Sequence, residues 1–451
     1  MANYKQYVKR KLTRKSIWQR PWVYLGILAG LIVLAIGVYQ IPWVNERAYF
    51  YVATTSSRIY NFFKPPSKVV FTPVEQGEMS PETMATLTAM APTRTATRMP
   101  TNTPTPFPTE QNTPTPTPTL TPTPTLPPPP SSARVEGVKW QKQTFNNCGP
   151  ANLAMILSFW GDPVTQQDTE KVLKPFPKDR NVMPYEMLDY VLTKSQFGGV
   201  VRYGGNLEMV KRLVAAGFPV VFERGYMDAK EGWMGHYGLI YAYDDATQKV
   251  NIPDSYLGEL TMSYADVEMY WGQFDDIYMV IYPWEREQEV KDILGPHWDE
   301  NYNKQHALEQ VSDRIYTVEG RELFFAWYSR GSILVEMQDY IGAATAYDKA
   351  FEIYNTLVEA QRPWRVTWYQ TGPYFAYFYS GRYQDTLNLA QKTISRSIEP
   401  AIPESFVWAG RASKMIGNYP NAIYYFKKAL EWHPNWWVAT DELTSMGVVV
   451  D

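Results

Sequence analysis

Cysteine is almost absent from this sequence. Cys148 is the single cysteine among 451 residues, which excludes an internal disulfide. Histidine is also scarce, with four residues in the chain, and neither an HExxH motif nor paired CxxC motifs occur. Those motifs are the usual signatures of zinc sites, so we expect no metal and no cofactor.

Neither sign of charge dominates the chain. Its 43 Lys and Arg residues and 46 Asp and Glu residues give a net charge of -3. Domains that bind nucleic acid usually carry a strongly basic surface, so we expect no nucleic-acid partner. The length is sufficient for two or three domains.

The N-terminal residues combine a basic segment with an uncharged apolar run. Residues 1–21 contain seven Lys or Arg and no acidic residue, and residues 22–43 contain no charge. About 20 apolar residues span a bilayer, so residues 22–43 are predicted to form a transmembrane helix. Basic flanks stay in the cytoplasm, which predicts a single-pass protein of the cell membrane with everything after residue 45 outside. A cleaved signal peptide is the alternative, but no small-x-small cleavage site follows the run.

The next two segments connect this anchor to the rest of the chain. Residues 44–79 are predicted to form a membrane-proximal segment. Residues 80–133 consist largely of Thr and Pro, a composition that cannot bury a core and favours extended polyproline II. We therefore expect a disordered linker that acts as a spacer on the order of 100 Å long, and its threonines are possible sites of O-glycosylation.

Residues 134–284 have the pattern of one α+β domain. Helical periodicity follows Cys148 and continues at 164–173, 183–194 and 206–216, where Asn206 and Gly217 are the predicted caps. The pattern then changes to short runs of β-branched and aromatic residues, which predict strands. These runs are residues 218–223, 236–243, 248–252 and 277–282.

Residues 285–451 are predicted to form an all-α domain of tetratricopeptide (TPR) type. Two stretches, which begin near Trp327 and Phe406, place small and aromatic residues at the same offsets, and a degenerate copy lies between them around 383–393. Small residues let paired helices approach closely, and aromatic residues fill the groove between them. An unrelated helical bundle is the alternative.

Cys148 is the candidate nucleophile. It lies between Asn147 and a Gly-Pro pair that opens an apolar helix, and a helix N-terminus favours the reactive thiolate. A cysteine nucleophile requires a general base, and His236 is the single histidine of residues 134–284. Asp254 is the carboxylate best placed to orient that histidine. A buried core cysteine is the alternative interpretation.

An oxyanion hole could combine the backbone N–H of Cys148 with a side-chain amide upstream. Gln143 and Gln141 are both candidates for that amide. Asn146 and Asn147 are expected to shape the turn instead, and no residue of the chain is assigned to cofactor or metal binding.

Three motifs, QTFNNCGPANLAMILSFWG, GHYGLIYAYDD and IPDSYLG, occur in this order. Together they resemble the papain-like cysteine peptidase family C-39 and its C-39-like relatives, over residues 134–284. The resemblance implies a papain-like fold with Cys148 as nucleophile, His236 as base, Asp254 as its orienting residue and Gln143 in the oxyanion hole. The founding members process bacteriocin leaders and are fused to ABC transporters, whereas this chain lacks a P-loop, so double-glycine specificity is not transferred.

These observations predict a membrane-anchored, extracytoplasmic cysteine peptidase or amide hydrolase. A peptide or protein is the expected substrate, and the repeats would bind a protein substrate or partner. Two alternatives remain open at this stage: a non-catalytic peptide-binding scaffold at the cell surface, and an acyltransferase that uses the same three residues.

Overall fold

The computed structural model describes most of the chain after residue 126 and a short part before it. The described residues are 21–41, 71–73, 127–176, 178–228, 231–396 and 401–450, with the single positions 44, 48, 52 and 55. Most of the predicted membrane-proximal segment and linker lies outside the described residues. The N-terminal residues and the remainder are separate compact units.

The N-terminal unit contains one described helix, α1 (Pro21–Tyr39). Within it, Trp22–Tyr39 is long and apolar enough to cross a membrane, and none of this stretch is buried by protein. Large apolar side chains such as Leu31 and Val33 are exposed. A helix that is apolar on every side needs an apolar environment around it, as a bilayer provides.

The first region of the larger unit is α+β. Its helices are α2 (Cys148–Phe159), α3 (Gln166–Leu173), α4 (Pro184–Lys194), α5 (Leu207–Ala215) and α6 (Tyr264–Trp271). The predicted caps of α5 are confirmed: the side chain of Asn206 accepts a hydrogen bond from the Met209 N–H, and Gly217 has a φ of +86°.

Among the described residues of this region, eight strands form two antiparallel sheets. The strands are β1 (Ser132–Arg134), β2 (Phe197–Arg202), β3 (Val220–Asp228), β4 (Gly232–Ile240), β5 (Ala242–Asp244), β6 (Lys249–Asp254), β7 (Gly258–Ser263) and β8 (Tyr278–Pro283). One sheet has the order β1-β5-β6-β7 and the other β2-β8-β3-β4. The four runs predicted between residues 218 and 282 correspond to β3, to β4 together with β5, to β6 and to β8. Strand β7 was missed, and so were β1 and β2 earlier in the chain.

The helix α2 packs against strand β4, and this contact positions the candidate site. Leu153 and Ile156 of α2 are fully buried in one core with Leu239 of β4. His236 was predicted to begin a strand, but β4 begins at Gly232, so His236 lies in the middle of the strand. Its neighbours on both sides are therefore fixed by strand pairing.

The second region of the larger unit begins at Glu287, and its described residues form helices and the segments that connect them. Its helices are α7 (Glu287–Leu294), α8 (Glu300–Arg314), α9 (Gly320–Glu336), α10 (Tyr340–Thr356), α11 (Val366–Tyr369), α12 (Gly372–Tyr379), α13 (Tyr383–Ser395), α14 (Pro403–Met415), α15 (Tyr419–Trp432) and α16 (Trp437–Ser445). Short 3-10 turns occur in the helical region at Gly295–Trp298 and Glu359–Gln361. Two further 3-10 turns precede it, at Gly272–Phe274 before β8 and at Trp284–Arg286 after β8.

Two helix pairs of this region pack in the same way. Gly331 of α9 lies against the ring of Tyr347 in α10, where a Cβ atom would be 2.7 Å from Cζ. Gly410 of α14 lies against Phe426 of α15, where a Cβ atom would be 2.6 Å from Cε1. In each pair the glycine leaves room for an aromatic ring that lies sixteen positions later in the sequence.

The two regions share a hydrophobic core. Trp233 of β4 and Phe274 are buried in the same cluster as Phe325 of α9. Phe71 is also buried there, and its ring lies edge-on to that of Phe351 with centroids 5.0 Å apart. The helical region is therefore continuous with the α+β region.

Candidate active site

Cys148 is the first residue of α2, and a network of polar contacts fixes the turn that precedes it. Asn146 has a φ of +52°, a left-handed conformation that asparagine tolerates. The buried amide of Asn147 donates to Gln166 Oε1 at 3.1 Å. Lys174 Nζ donates to the Asn146 carbonyl oxygen at 2.8 Å. Cys148 as a residue is partly exposed at the N-terminus of the helix.

The Cys148 thiol lies beside the His236 imidazole, close enough for the imidazole to lower the pKa of the thiol and for the thiol to raise the pKa of the imidazole. Asn152 fixes the two elements that carry them, because its buried Nδ2 donates to the Cys148 carbonyl oxygen at 2.9 Å and to the Tyr237 carbonyl oxygen at 3.2 Å. The helix N-terminus and the middle of strand β4 are thereby held side by side.

Asp254, the last residue of β6, lies on the other side of the imidazole. His236 Nε2 is 3.0 Å from both Oδ1 and Oδ2 of Asp254. Because an ionised carboxylate only accepts hydrogen bonds, Nε2 carries the proton and donates it. The ring nitrogen left for the sulfur is Nδ1.

Asp254 is buried with a second cation beside it. Arg224 of β3 is paired directly with His236 of β4 in the strand register. Its Nη2 donates to Asp254 Oδ2 at 2.7 Å, with 2% of the Arg224 side chain and none of the Asp254 side chain exposed. The backbone N–H groups of Tyr256 and Leu257 donate to Oδ1, both at 2.9 Å. The carboxylate is thus fixed from every side.

The charges of these three groups depend on one another. Burial by itself raises the pKa of the Cys148 thiol, but the His236 imidazole, the Tyr237 N–H and the Lys174 ammonium together lower it below its ordinary value. Burial opposes protonation of His236, yet Asp254 and Cys148 raise its pKa to about 9. Burial also opposes ionisation of Asp254, but His236 and Arg224 hold its pKa well below its usual range.

These directions favour an ion pair. The thiol loses its proton more readily than an ordinary cysteine, and the imidazole retains one more firmly than an ordinary histidine. A thiolate next to an imidazolium is the activated form of a cysteine nucleophile.

Gln143 is bound beside this group of residues. Its backbone N–H donates to the Ser255 carbonyl oxygen at 2.8 Å, and its side-chain Oε1 accepts a hydrogen bond from Ser255 Oγ at 2.8 Å. Ser255 follows Asp254, so Gln143 is attached to the same turn. With the oxygen turned to Ser255, the NH2 group is the end of the amide left to donate elsewhere. The alternative residue, Gln141, is bound at its backbone N–H by Met155 Sδ at 3.3 Å.

The structure therefore brings together Cys148, His236 and Asp254, with Gln143 on the adjoining turn. Sequence reasoning missed Arg224 and Asn152. Both could have been noticed in the sequence, since Arg224 belongs to a charged pair inside an apolar strand and Asn152 is a polar residue inside an apolar helix. Buried polar groups need partners, which makes such residues informative.

The part of the chain that the structure describes contains no group of three or more His, Cys, Asp or Glu side chains that could hold a metal ion.

Residues 135–281 match the Peptidase_C39 like family. No curated protein matches the sequence. Among solved structures, the chain resembles a double glycine motif protease from an AMS/PCAT transporter in complex with its leader peptide, at 16% identity and a TM-score of 0.26, over 34% of this chain and 94% of that one.

Two further solved structures are similar. One is a C39-like peptidase from Bacillus anthracis, at 15% identity and a TM-score of 0.27, over 33% of this chain and 96% of that one. The other is the peptidase domain of Streptococcus ComA, a bifunctional ABC transporter in a quorum-sensing pathway, at 14% identity and a TM-score of 0.27, over 33% of this chain and 99% of that one. The match to the Peptidase_C39 like family indicates that residues 135–281 form a cysteine peptidase domain.

Proposed function

We propose that this protein is a membrane-anchored, extracytoplasmic cysteine peptidase or amide hydrolase that acts through Cys148, His236 and Asp254. The observation that carries the proposal is the placement of the Cys148 thiol beside the His236 imidazole, which is in turn hydrogen-bonded to the buried Asp254 carboxylate. The pKa directions of all three groups agree with it, because the pKa values of Cys148 and Asp254 are lowered while that of His236 is raised.

In the first half of the reaction, the Cys148 thiolate attacks the carbonyl carbon of a substrate amide. The C=O π electrons move to oxygen, and the resulting oxyanion accepts hydrogen bonds from the Cys148 N–H and the Gln143 NH2 group. As the tetrahedral intermediate collapses, the C–N bond breaks and the His236 imidazolium gives its proton to the leaving amine. The products are a free amine and a thioester on Cys148.

In the second half, the neutral imidazole removes a proton from water. The hydroxide formed attacks the thioester carbonyl carbon, and the C–S bond breaks to release a carboxylic acid and the thiolate. Asp254 remains ionised throughout and keeps the Nε2 proton of His236 directed at itself, so that Nδ1 faces the reacting atoms. Arg224 supports this role because it keeps Asp254 charged.

The anchor and the regions that follow it complete the proposal. Residues 22–43 would span the membrane, and residues 80–133 would separate the membrane from a catalytic domain at 134–284. The length and apolar surface of α1 support the anchor. The basic residues that precede α1 favour an outward-facing catalytic domain.

Residues 285–451 would act as TPR-like repeats that recruit a protein substrate or partner. The supporting observation is the shared packing of Gly331 with Tyr347 and of Gly410 with Phe426. Equivalent small-to-aromatic contacts in two separate helix pairs are what a repeat array predicts.

The test is active-site labelling of the full chain with a thiol-directed peptidyl acyl probe. Cys148→Ala should abolish labelling while the thermal unfolding curve stays unchanged, because the site keeps its polar network. His236→Gln is the matched control, since it keeps the thiol but removes the imidazole and should label far more slowly. Labelling of the Cys148→Ala variant, or wild-type labelling of the His236→Gln variant, would contradict the proposal.

Product analysis then separates the chemical alternatives. A peptide library incubated with the protein should yield free carboxylic acids and amines. Products joined to an added amine would instead identify an acyltransferase that uses the same residues. Binding without turnover by a protein whose Cys148 fails to label would identify a peptide-binding scaffold.

A further inference from the structure

The helical region touches the strand that carries His236. Tyr369, the last residue of α11, lies with its ring on Gly235, the residue before His236. A Cβ atom at Gly235 would be 2.8 Å from Cγ of Tyr369 and 2.6 Å from Cζ of Phe274. Glycine is therefore required at this position so that the two rings can approach the backbone of β4.

The contact is reinforced by the other residue of β4 that faces the helices. Trp233 is stacked on Phe274 and packs against Phe325 of α9, with ring centroids 5.6 Å and 5.1 Å apart. Its ring also lies edge-on to Tyr369 at 5.9 Å, and its Nε1 donates to Gln273 Oε1 at 2.7 Å. One face of β4 is thus part of the helical core, while His236 projects from the opposite face.

Arg365 binds the beginning of the same strand. This buried guanidinium forms an ion pair with Glu231 Oε2 at 3.0 Å and also donates to the Glu231 carbonyl oxygen. The partners lie 134 positions apart in the sequence. A buried ion pair is costly to break, so it fixes the relative position of α11 and the strand.

Tyr369 is also bound from the side of α4. Asn181 Nδ2 donates to the Tyr369 carbonyl oxygen at 3.1 Å. The neighbouring Val182 carbonyl oxygen accepts a hydrogen bond from the Tyr237 hydroxyl at 2.8 Å. Residues before α4 and residues of β4 therefore enclose Tyr369 between them, next to His236 and Tyr237.

We infer that Tyr369 is a positioning residue for His236, so that the helical region completes the peptidase site in addition to any recruiting role. The ring fixes the backbone of Gly235, and this fixes the imidazole between Cys148 and Asp254. This inference rests on the proposed function. It adds that the thiolate–imidazolium pair depends on a residue outside the family match, which ends at residue 281.

The test measures the pH dependence of Cys148 alkylation by iodoacetamide in the full chain. With one cysteine in the chain, alkylation reports on that thiol alone. Tyr369→Leu removes the ring but leaves a large apolar side chain. We expect its alkylation rate at pH 6 to fall about tenfold, the change that one unit of thiol pKa produces.

Two controls separate positioning from general destabilisation. Tyr369→Phe keeps the ring and should restore the wild-type profile. Tyr419→Ala changes an exposed tyrosine elsewhere in the helical region and should also behave as wild type. A purely structural role of Tyr369 would lower the unfolding temperature of the Tyr369→Leu variant without moving the pH profile of its folded molecules.

The outcomes for this inference and for the proposed function are distinct. If the wild-type protein alkylates like an ordinary thiol, the proposed function fails. If the wild-type profile is shifted to low pH and folded Tyr369→Leu keeps that shift, the role of Tyr369 is overturned.

Should Tyr369→Leu not fold, Glu231→Gln decides the question. It removes the Arg365 ion pair at a partly exposed position and should shift the profile in the same direction by a smaller amount. An unchanged profile in the Glu231→Gln variant would then refute the inference.

Discussion

The interior around the candidate site and the interiors of two helix pairs contain different kinds of side chain. Around β4 and β6 the interior contains charged groups, with Arg224 and Asp254 paired out of contact with water. The cores of the helix pairs are built from glycine against aromatic rings. Burying charge is unfavourable and is retained where it serves another purpose, whereas close apolar packing is favourable by itself. The helical region also buries a charge at Arg365, so the contrast concerns the surroundings of His236 and the two glycine contacts.

The largest expected effect comes from removing the buried negative charge. Asp254→Asn should lower the free energy of unfolding by about 3–5 kcal/mol, because Arg224 is left buried without its counter-ion. Peptide hydrolysis should fall on the order of 10³-fold, since the imidazolium loses the carboxylate that stabilises it. Chemical denaturation and kcat/KM measure the two effects.

Asp244→Asn is the matched control for that substitution. Asp244 is the last residue of β5, and its Oδ1 accepts a hydrogen bond from the Ala246 N–H in the following turn at 2.8 Å. Asparagine can accept the same bond, so a change within about 0.5 kcal/mol is expected. Equal destabilisation by both variants would remove the contrast between a charged interior and an ordinary turn.

A smaller effect is expected from pH. Because the pKa of His236 is raised from 6.5 to about 9, its contribution to stability is complete below pH 6.5 and is lost as the pH rises through 9. Hydrolysis should fall about tenfold one unit above that pKa, since the imidazolium that protonates the leaving amine is then scarce.

At acid pH the dependence of stability on pH has the opposite sign. The pKa of Asp254 is lowered from 3.8, so its contribution to stability is present above pH 3.8 and is lost as the pH falls.

A kcat profile that declined near pH 6.5 instead of 9 would show that His236 titrates as an ordinary histidine and that the charged network is absent.

The smallest effect concerns packing in the helical region. Gly410→Ala places a Cβ atom 2.6 Å from the Phe426 ring and should cost about 1–3 kcal/mol in the free energy of unfolding. Hydrolysis per folded molecule should be unchanged. Ser395→Ala, at an exposed helical position, is the control and should be nearly neutral. A parallel loss of kcat in Gly410→Ala would mean that the two regions are not separable in this way.

Much of the local structure followed from the sequence. The helices α2 to α5 begin and end close to the predicted positions because caps such as Asn206 and turn residues such as Gly217 act within a few residues, whereas α6 was not predicted. Strand β1, with three residues, escaped prediction, and β5 was merged with β4. Strands β2 and β7 also escaped prediction, since β2 begins with a Phe-Gly-Gly run and β7 has alternating polar residues of weak strand propensity. Their pairing with β8 and β6 stabilises them, and pairing partners lie far away in sequence.

One cysteine and one histidine in residues 134–284 leave a single candidate pair, so the candidate nucleophile and base could be named from the sequence. What surrounds that pair depends on the tertiary structure. The register of β3 and β4 placed Arg224 beside His236, and the packing of α11 placed Tyr369 against Gly235. Such contacts depend on strand register and on the docking of distant helices, whereas hydrophobic periodicity and caps report only on the neighbouring residues of the chain.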